Sequence, residues 1–203
     1  MRNDIVFSQV TFSEDLILKN GTQDFNMCFY GISQDSNVTS QDFRSPHWSP
    51  PSNPYVKINV DATFIPNNGA AGAIARDHNG MFLGCDTYTF DSTSSLLAES
   101  LACKLGMELG LRFGFKEIII EGDAANVTSV VLGEVSQIPW SIRSTILEIR
   151  SLISSFFNVI FVSVPKKANS LAHILCQHAM HDNVNMWWNA DSPPLCILSN
   201  LYS

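Results

Sequence analysis

The sequence predicts an α/β fold built on a mixed five-stranded sheet: a three-strand antiparallel meander plus two parallel strands, with helices on its faces. Three observations predict it. Strand-like runs come first and close together, at 56–64, 70–76 and 81–88, and the last two are joined by Asp77-His78-Asn79-Gly80. Asn-Gly is a strong hairpin signal. Leu97, Leu101, Leu105 and Leu109 then recur at a spacing of four, the apolar stripe of an amphipathic helix. Beyond that helix, strands and helices alternate, which demands crossover connections.

Taken in order, Val56-Lys57-Ile58-Asn59-Val60-Asp61-Ala62-Thr63-Phe64 is the first strand. Ala70-Ala71-Gly72-Ala73-Ile74-Ala75-Arg76 is a second, made of small residues, and 81–88 returns antiparallel to it. The Leu97 helix follows, and Gly114 marks its exit. Residues 116–121 read as a buried strand, 124–132 as a short helix, 142–155 as another, 158–164 as a fifth strand and 168–180 as a last helix. Right-handed crossovers make the fourth and fifth strands parallel to the first. Their carboxyl ends then share one sheet edge with Asp61 and Asp123, the edge that ligand sites favour in open sheets.

Around this domain, taken as 55–181, lie an irregular N-terminal segment and a C-terminal tail. Residues 1–54 mix short apolar pieces with polar ones, allow a helix around 13–20, and end in a proline-dense linker, Ser45-Pro46-His47-Trp48-Ser49-Pro50-Pro51-Ser52-Asn53-Pro54. The tail, 182–203, carries Trp187-Trp188 and Pro193-Pro194 and is expected as an extended or partly loose strap, its tryptophans buried against the domain.

A chain of 203 residues suits one full domain with flanks and is short for two. Its 45% hydrophobic and 15% charged content excludes a disordered chain. No run approaches the roughly 18 apolar residues that span a bilayer. Met1-Arg2-Asn3-Asp4 leads into no apolar stretch, so neither a membrane segment nor a secretory signal is expected. Cys28, Cys85, Cys103, Cys176 and Cys196 are odd in number and scattered, as in reduced thiols of an intracellular protein, nuclear or cytosolic. The net charge of −7 argues against strong non-specific affinity for nucleic acid. Residues 56–180 nevertheless hold nine Lys/Arg and eleven Asp/Glu, a balance of −2 that becomes +1 when three acids with a special placing are set aside.

Those acids are Asp61, Glu99 and Asp123. Asp61 lies toward the end of the first strand, Glu99 opens a helix in Leu97-Ala98-Glu99-Ser100, and Asp123 ends Ile118-Ile119-Ile120-Glu121-Gly122-Asp123. Each has a purely structural explanation: Asp123 as a helix N-cap, Glu99 as a first-turn complement to the helix dipole, Asp61 as an ordinary strand end. Three such explanations do not predict convergence on one sheet edge. Together the carboxylates read as a magnesium site, and carboxylate-held magnesium commonly serves phosphate chemistry. His173, Cys176, His178 and His181 also crowd the last helix, but 178 turns to a different face from 173 and 176, so four-fold zinc closure is awkward.

The meander with Asp61, the Ala98-Glu99 helix, the strand ending at Asp123 and Val164-Pro165-Lys166-Lys167-Ala168-Asn169-Ser170-Leu171-Ala172-His173 resemble type 1 ribonuclease H. They look most like the plant ribonuclease-H-like domains related to the ends of non-LTR retroelement polyproteins, and the resemblance covers about residues 55–180. It implies an endonuclease that hydrolyses the RNA strand of an RNA–DNA hybrid with two Mg2+ ions, Mn2+ being a possible substitute. Asp61, Glu99 and Asp123 would be the catalytic metal ligands, and the protein a monomer. Gly69 and Ala70, in Gly69-Ala70-Ala71-Gly72, would let backbone approach the sugar–phosphate chain, with tight sheet packing as the alternative. Lys166, Lys167 and Asn169 would complete the nucleic-acid contacts.

Two departures stand out. The family commonly has a fourth acid in an Ala-Asp pair where this chain has Ala172-His173; imidazole can bind a metal but suits magnesium poorly. The loop before the last helix lacks the histidine many relatives carry there, and no basic handle helix is present. A catalytically weak or inactive nucleic-acid-binding module of the same fold is therefore the alternative expectation.

Overall fold

Alternating residues of one central strand split the molecule into two faces. In the computed structural model, which describes residues 47–201 and the backbone of 27–30, that strand pairs on both sides and carries the site. The strands are β1 (Met27–Tyr30), β2 (Val56–Ile65), β3 (Asn68–Arg76), β4 (Phe82–Phe90), β5 (Glu117–Gly122), β6 (Asn158–Ser163) and β7 (Met186–Asn189). Among the described residues they form one sheet in the order β1-β6-β5-β2-β3-β4-β7. The helices are α1 (Ser95–Arg112), α2 (Ala125–Leu132), α3 (Arg143–Ile153), α4 (Ser170–Asp182) and the short α5 (Leu195–Leu198).

The five predicted strands are present with the predicted directions: β2, β3 and β4 form the antiparallel meander, and β5 and β6 run parallel to β2. The sheet has two more strands than the sequence predicts, β1 against β6 and β7 against β4, both antiparallel. The expected helix around 13–20 lies outside the described residues. The β3–β4 connection is the tight hairpin that Asn-Gly foretold: Gly80 takes φ +78°, and Asp77 Oδ1 accepts from the amides of Asn79 and Met81 at 2.8 Å each.

On one face of β2, Ile58 and Val60 point into the main core beneath α1. Close approach there depends on Gly106, where a Cβ would sit 2.5 Å from Val60 Cγ1. Ser94 caps α1 by accepting from the Leu97 amide, and Gly114, at φ +72°, closes its exit. The opposite face carries Lys57, Asn59 and Asp61 and is covered in part by α4, whose Leu171, Ala172 and Leu175 are buried with Ile74 and Phe82. Gly72, paired across the strands with Asp61, lies directly under α4: a Cβ there would meet Cys176 N at 2.8 Å and Ala172 O at 2.9 Å.

Away from α4 this face holds a buried ionic network. Lys57 Nζ lies 2.8 Å from Glu121 Oε1, with both side chains under 5% exposed. Asn59 Nδ2 donates to Glu121 Oε2, and Arg76 Nη2 donates to Asn59 Oδ1, each at 2.9 Å. The Arg76 guanidinium stacks 3.4 Å over the Trp48 ring, and Lys57 Nζ donates to Ser49 O, so Trp48 and Ser49 lie over the network. Burial pushes Arg76 down to about 9, with Glu121 acting against that shift.

The C-terminal tail is fixed to the domain, which answers to the extended strap rather than the partly loose one. Thr87 Oγ1 donates to Val184 O and Thr89 N to Asn185 Oδ1, which sets β7 on β4, and Ile197 and Leu201 enter the α4-side core. Trp188 packs partly against that core. Trp187, expected to be buried, is 49% exposed, edge-on to Phe113. Among the described residues no helix is long and apolar enough to cross a membrane.

Candidate metal centre

Asp61 is the sixth residue of the ten-residue β2 and is 3% exposed. It is thus an interior strand residue, not a strand end. Parallel pairing puts Asn59 level with Glu121, so two residues further on Asp61 comes level with Asp123, just past the end of β5. Glu99 reaches the same place from α1. Carboxylate oxygens of Asp61, Glu99 and Asp123 all lie within 4.8 Å of one another.

The ordinary explanations for the other two acids also fail. Ala124, not Asp123, occupies the N-cap of α2, with no side-chain capping bond. Glu99 lies beyond the first turn of α1, which contains no acid. Neither carboxylate is placed to serve its helix.

Crowding shows in the electrostatics. Burial, then the charges of Asp61 and Asp123, push Glu99 up to about 8, against a pull from Lys166. Burial and Asp61 likewise raise Asp123. A cluster that opposes ionisation of Glu99 and Asp123 and offers only hard oxygen donors suits a divalent cation, whose charge would remove the repulsion. Between about pH 4.5 and 8 the folded protein binds more protons at Glu99 than the unfolded chain, so metal-free stability falls as pH rises through that window. Glu99→Gln is expected to melt several degrees above the parent protein in EDTA at pH 8, with the gap closing toward pH 5; 1 kcal/mol is worth about 2–4 °C at this size. A gap that did not change with pH in circular dichroism melts would refute it.

His173 also meets Asp61, with Nδ1 2.7 Å from Asp61 Oδ2. Cys176, one turn along α4, points its Sγ at the same oxygen from 3.5 Å. Burial and then Asp61 push that thiol well above its ordinary range. His178 and His181 instead turn to Asp182, at 2.7 and 2.6 Å, so the four His/Cys groups of the helix split into two pairs. Sequence reasoning missed Cys176 as a neighbour of Asp61. The three-residue spacing from His173 was visible, but the partner on the sheet was not.

The expected nucleic-acid contacts divide. Lys166 and Lys167 are exposed, on a 3-10 turn before α4, and Lys166 is close enough to act on Glu99 and Asp123. Ala70 is fully buried and Gly69 lies under the Phe90 ring, so the small-residue stretch is sheet packing rather than a docking surface. Asn169, expected at the ligand, is 1% exposed and donates to Val60 O, which ties α4 to β2 beside Asp61.

The model of a family described as reverse transcriptase-like matches residues 59–179. Among solved structures, the chain is similar to RNase H1 from the halophilic archaeon Halobacterium salinarum NRC-1, with a TM-score of 0.59 and 23% identity over 63% of this chain and 98% of that one. It is also similar to the N-terminal RNase H domain of rv2228c from Mycobacterium tuberculosis, at TM-score 0.59 and 19% identity over 63% and 94% of the two chains. LC11-RNase H1, solved in complex with an RNA/DNA hybrid, gives 0.56 and 18% over 64% and 97%. Curated proteins gave no match. At these identities the likeness is one of fold.

Proposed function

The chain belongs to the reverse transcriptase-like family and has the ribonuclease H fold, and on that premise we propose that it hydrolyses the RNA strand of RNA–DNA hybrids with Mg2+ held by Asp61, Glu99 and Asp123. One observation carries the reading: three carboxylates from β2, α1 and the β5–α2 junction meet within 4.8 Å although no local helix or strand role holds them there. Divalent ions bound by these oxygens supply charge neutralisation at the phosphate and an activated water. The protein's own part is to present the acids on rigid elements, with Asp61 fixed inside a strand and held from behind by α4. Lys166, close enough to act on Glu99 and Asp123, and its exposed neighbour Lys167 would contact the phosphates of an incoming strand and position it without reading sequence. Recognition of the RNA strand would then rest on its shape and 2′-hydroxyls. Mn2+, of similar oxygen preference, is expected to substitute.

His173 favours a second reading, a weakly cleaving module that still binds hybrid. It faces Asp61 where the resembled family has a carboxylate, and it brings no charge suited to magnesium. His173→Asp is accordingly expected to raise Mg2+-dependent cleavage on the order of tenfold; an unchanged rate would retire position 173 as limiting.

Labelled hybrid, DNA duplex and single-stranded RNA, incubated with the protein and Mg2+, test the main reading. Cutting confined to the RNA strand of the hybrid, and stopped by EDTA, is the expected result. Absence of cutting, or cutting indifferent to EDTA, would overturn it.

A further inference from the structure

We propose that Asp61, His173 and Cys176 form a site for a borderline-soft transition ion of the Zn2+ class, sharing only Asp61 with the all-oxygen cluster. The three residues offer a carboxylate oxygen, an imidazole nitrogen and a sulfur, with ligand atoms within 4.8 Å of one another. Around a tetrahedral zinc bound at about 2.0–2.3 Å, neighbouring donors lie roughly 3.3–3.8 Å apart. The Cys176 Sγ–Asp61 Oδ2 separation of 3.5 Å already has that length, and the His173 Nδ1–Asp61 Oδ2 distance of 2.7 Å must open by about an ångström. Two donors come from one helix at a three-residue spacing, which puts them on one face. The third comes from the strand opposite, and Gly72, paired with Asp61, lets α4 lie against it.

The donor set separates the two sites chemically. Thiolate and imidazole select zinc-like ions and offer magnesium nothing, whereas the Asp61–Glu99–Asp123 oxygens suit the hard ion. Asp61 and Cys176 are buried, but the His173 side chain is 28% exposed, which gives an ion a way in and leaves a fourth position for water. Binding exchanges bonds in balance: the Cys176 S–H breaks as the metal–sulfur bond forms, its proton passes to solvent, and the imidazole proton is carried on Nε2 while Nδ1 ligates.

Sharing Asp61 has a regulatory result, which rests on the proposed nuclease reading. An ion held by α4 draws Asp61 away from Glu99 and Asp123, so zinc antagonises magnesium-supported cleavage.

Co2+ titration of the full chain under reducing conditions tests the site without reference to turnover. The expected result is a sulfur-to-cobalt charge-transfer band that saturates at one ion per chain, survives excess Mg2+ and is displaced by Zn2+. Cys176→Ser should abolish the band, and His173→Asn should keep a band but weaken Co2+ binding about 10–100-fold. No band in the parent protein, or an undiminished band in Cys176→Ser, would overturn the proposal. If Cys176→Ser fails to fold, as judged by circular dichroism, the more exposed His173→Asn decides, and unchanged Co2+ affinity there is equally fatal. In the cleavage assay, zinc inhibition should weaken in Cys176→Ser. Absence of cleavage in the parent protein would refute the nuclease reading and leave the spectrum to judge the zinc site.

Discussion

Asp61→Asn is expected to lower Mg2+-dependent cleavage of the RNA strand by about 10³-fold or more, while the melting temperature stays within a few degrees. Among the described residues Asp61 is the one acid shared by the Asp61–Glu99–Asp123 and Asp61–His173–Cys176 groups, so its charge is central to any ion held there. Asparagine keeps the shape and one accepting oxygen, so strand pairing and α4 packing should survive. Losing one of three crowded like charges also relieves repulsion, which offsets the weakened contact to His173. Single-turnover cleavage of labelled hybrid, with melts of the same samples, separates lost chemistry from lost fold. Equal cleavage by the parent and variant proteins would assign the activity to another site.

The largest effect on stability is expected from Glu121→Leu. It leaves Lys57 and Arg76 buried beside an apolar group, with Asn59 losing the acceptor it now donates to. Removing one partner of a buried ion pair costs about 3–5 kcal/mol, chiefly because the remaining charge keeps its desolvation penalty. At about 2–4 °C per kcal/mol the melting temperature should drop roughly 6–20 °C. Adding Lys57→Met should restore part of the loss, since it removes one stranded charge. Urea titrations of the single and double variants measure this. A loss below about 1 kcal/mol in the single variant would show that the cations reach water and the network contributes little.

The order and direction of the central elements were legible because each signal was local: an Asn-Gly turn, a leucine stripe, and apolar runs separated by glycine. The nearness of Asp61 and Asp123 followed from parallel strand direction, a topological rule rather than a contact. What escaped was whatever depends on distant partners. β1 and β7 are four-residue edge strands, and nothing in Met186-Trp187-Trp188-Asn189 alternates strongly enough to announce pairing. Lys57 and Arg76 look like ordinary polar strand residues until the Trp48 ring meets them. Asn169 looked like a ligand contact beside two lysines, yet its neighbour in space is the carbonyl of Val60. For Gly69 and Ala70 the sequence leaves an approach surface and tight sheet packing both open, and the choice at Gly69 is made by Phe90 from another strand.

The glycine facing Asp61 across the meander has an implication for how activity data on this chain should be interpreted. The gap between helix and strand is set by an atom that is absent, so alanine at 72 would lift the imidazole and sulfur off their oxygen without touching any reactive group. A saturation screen scored on turnover alone would thus flag an inert spacer as though it were a catalyst.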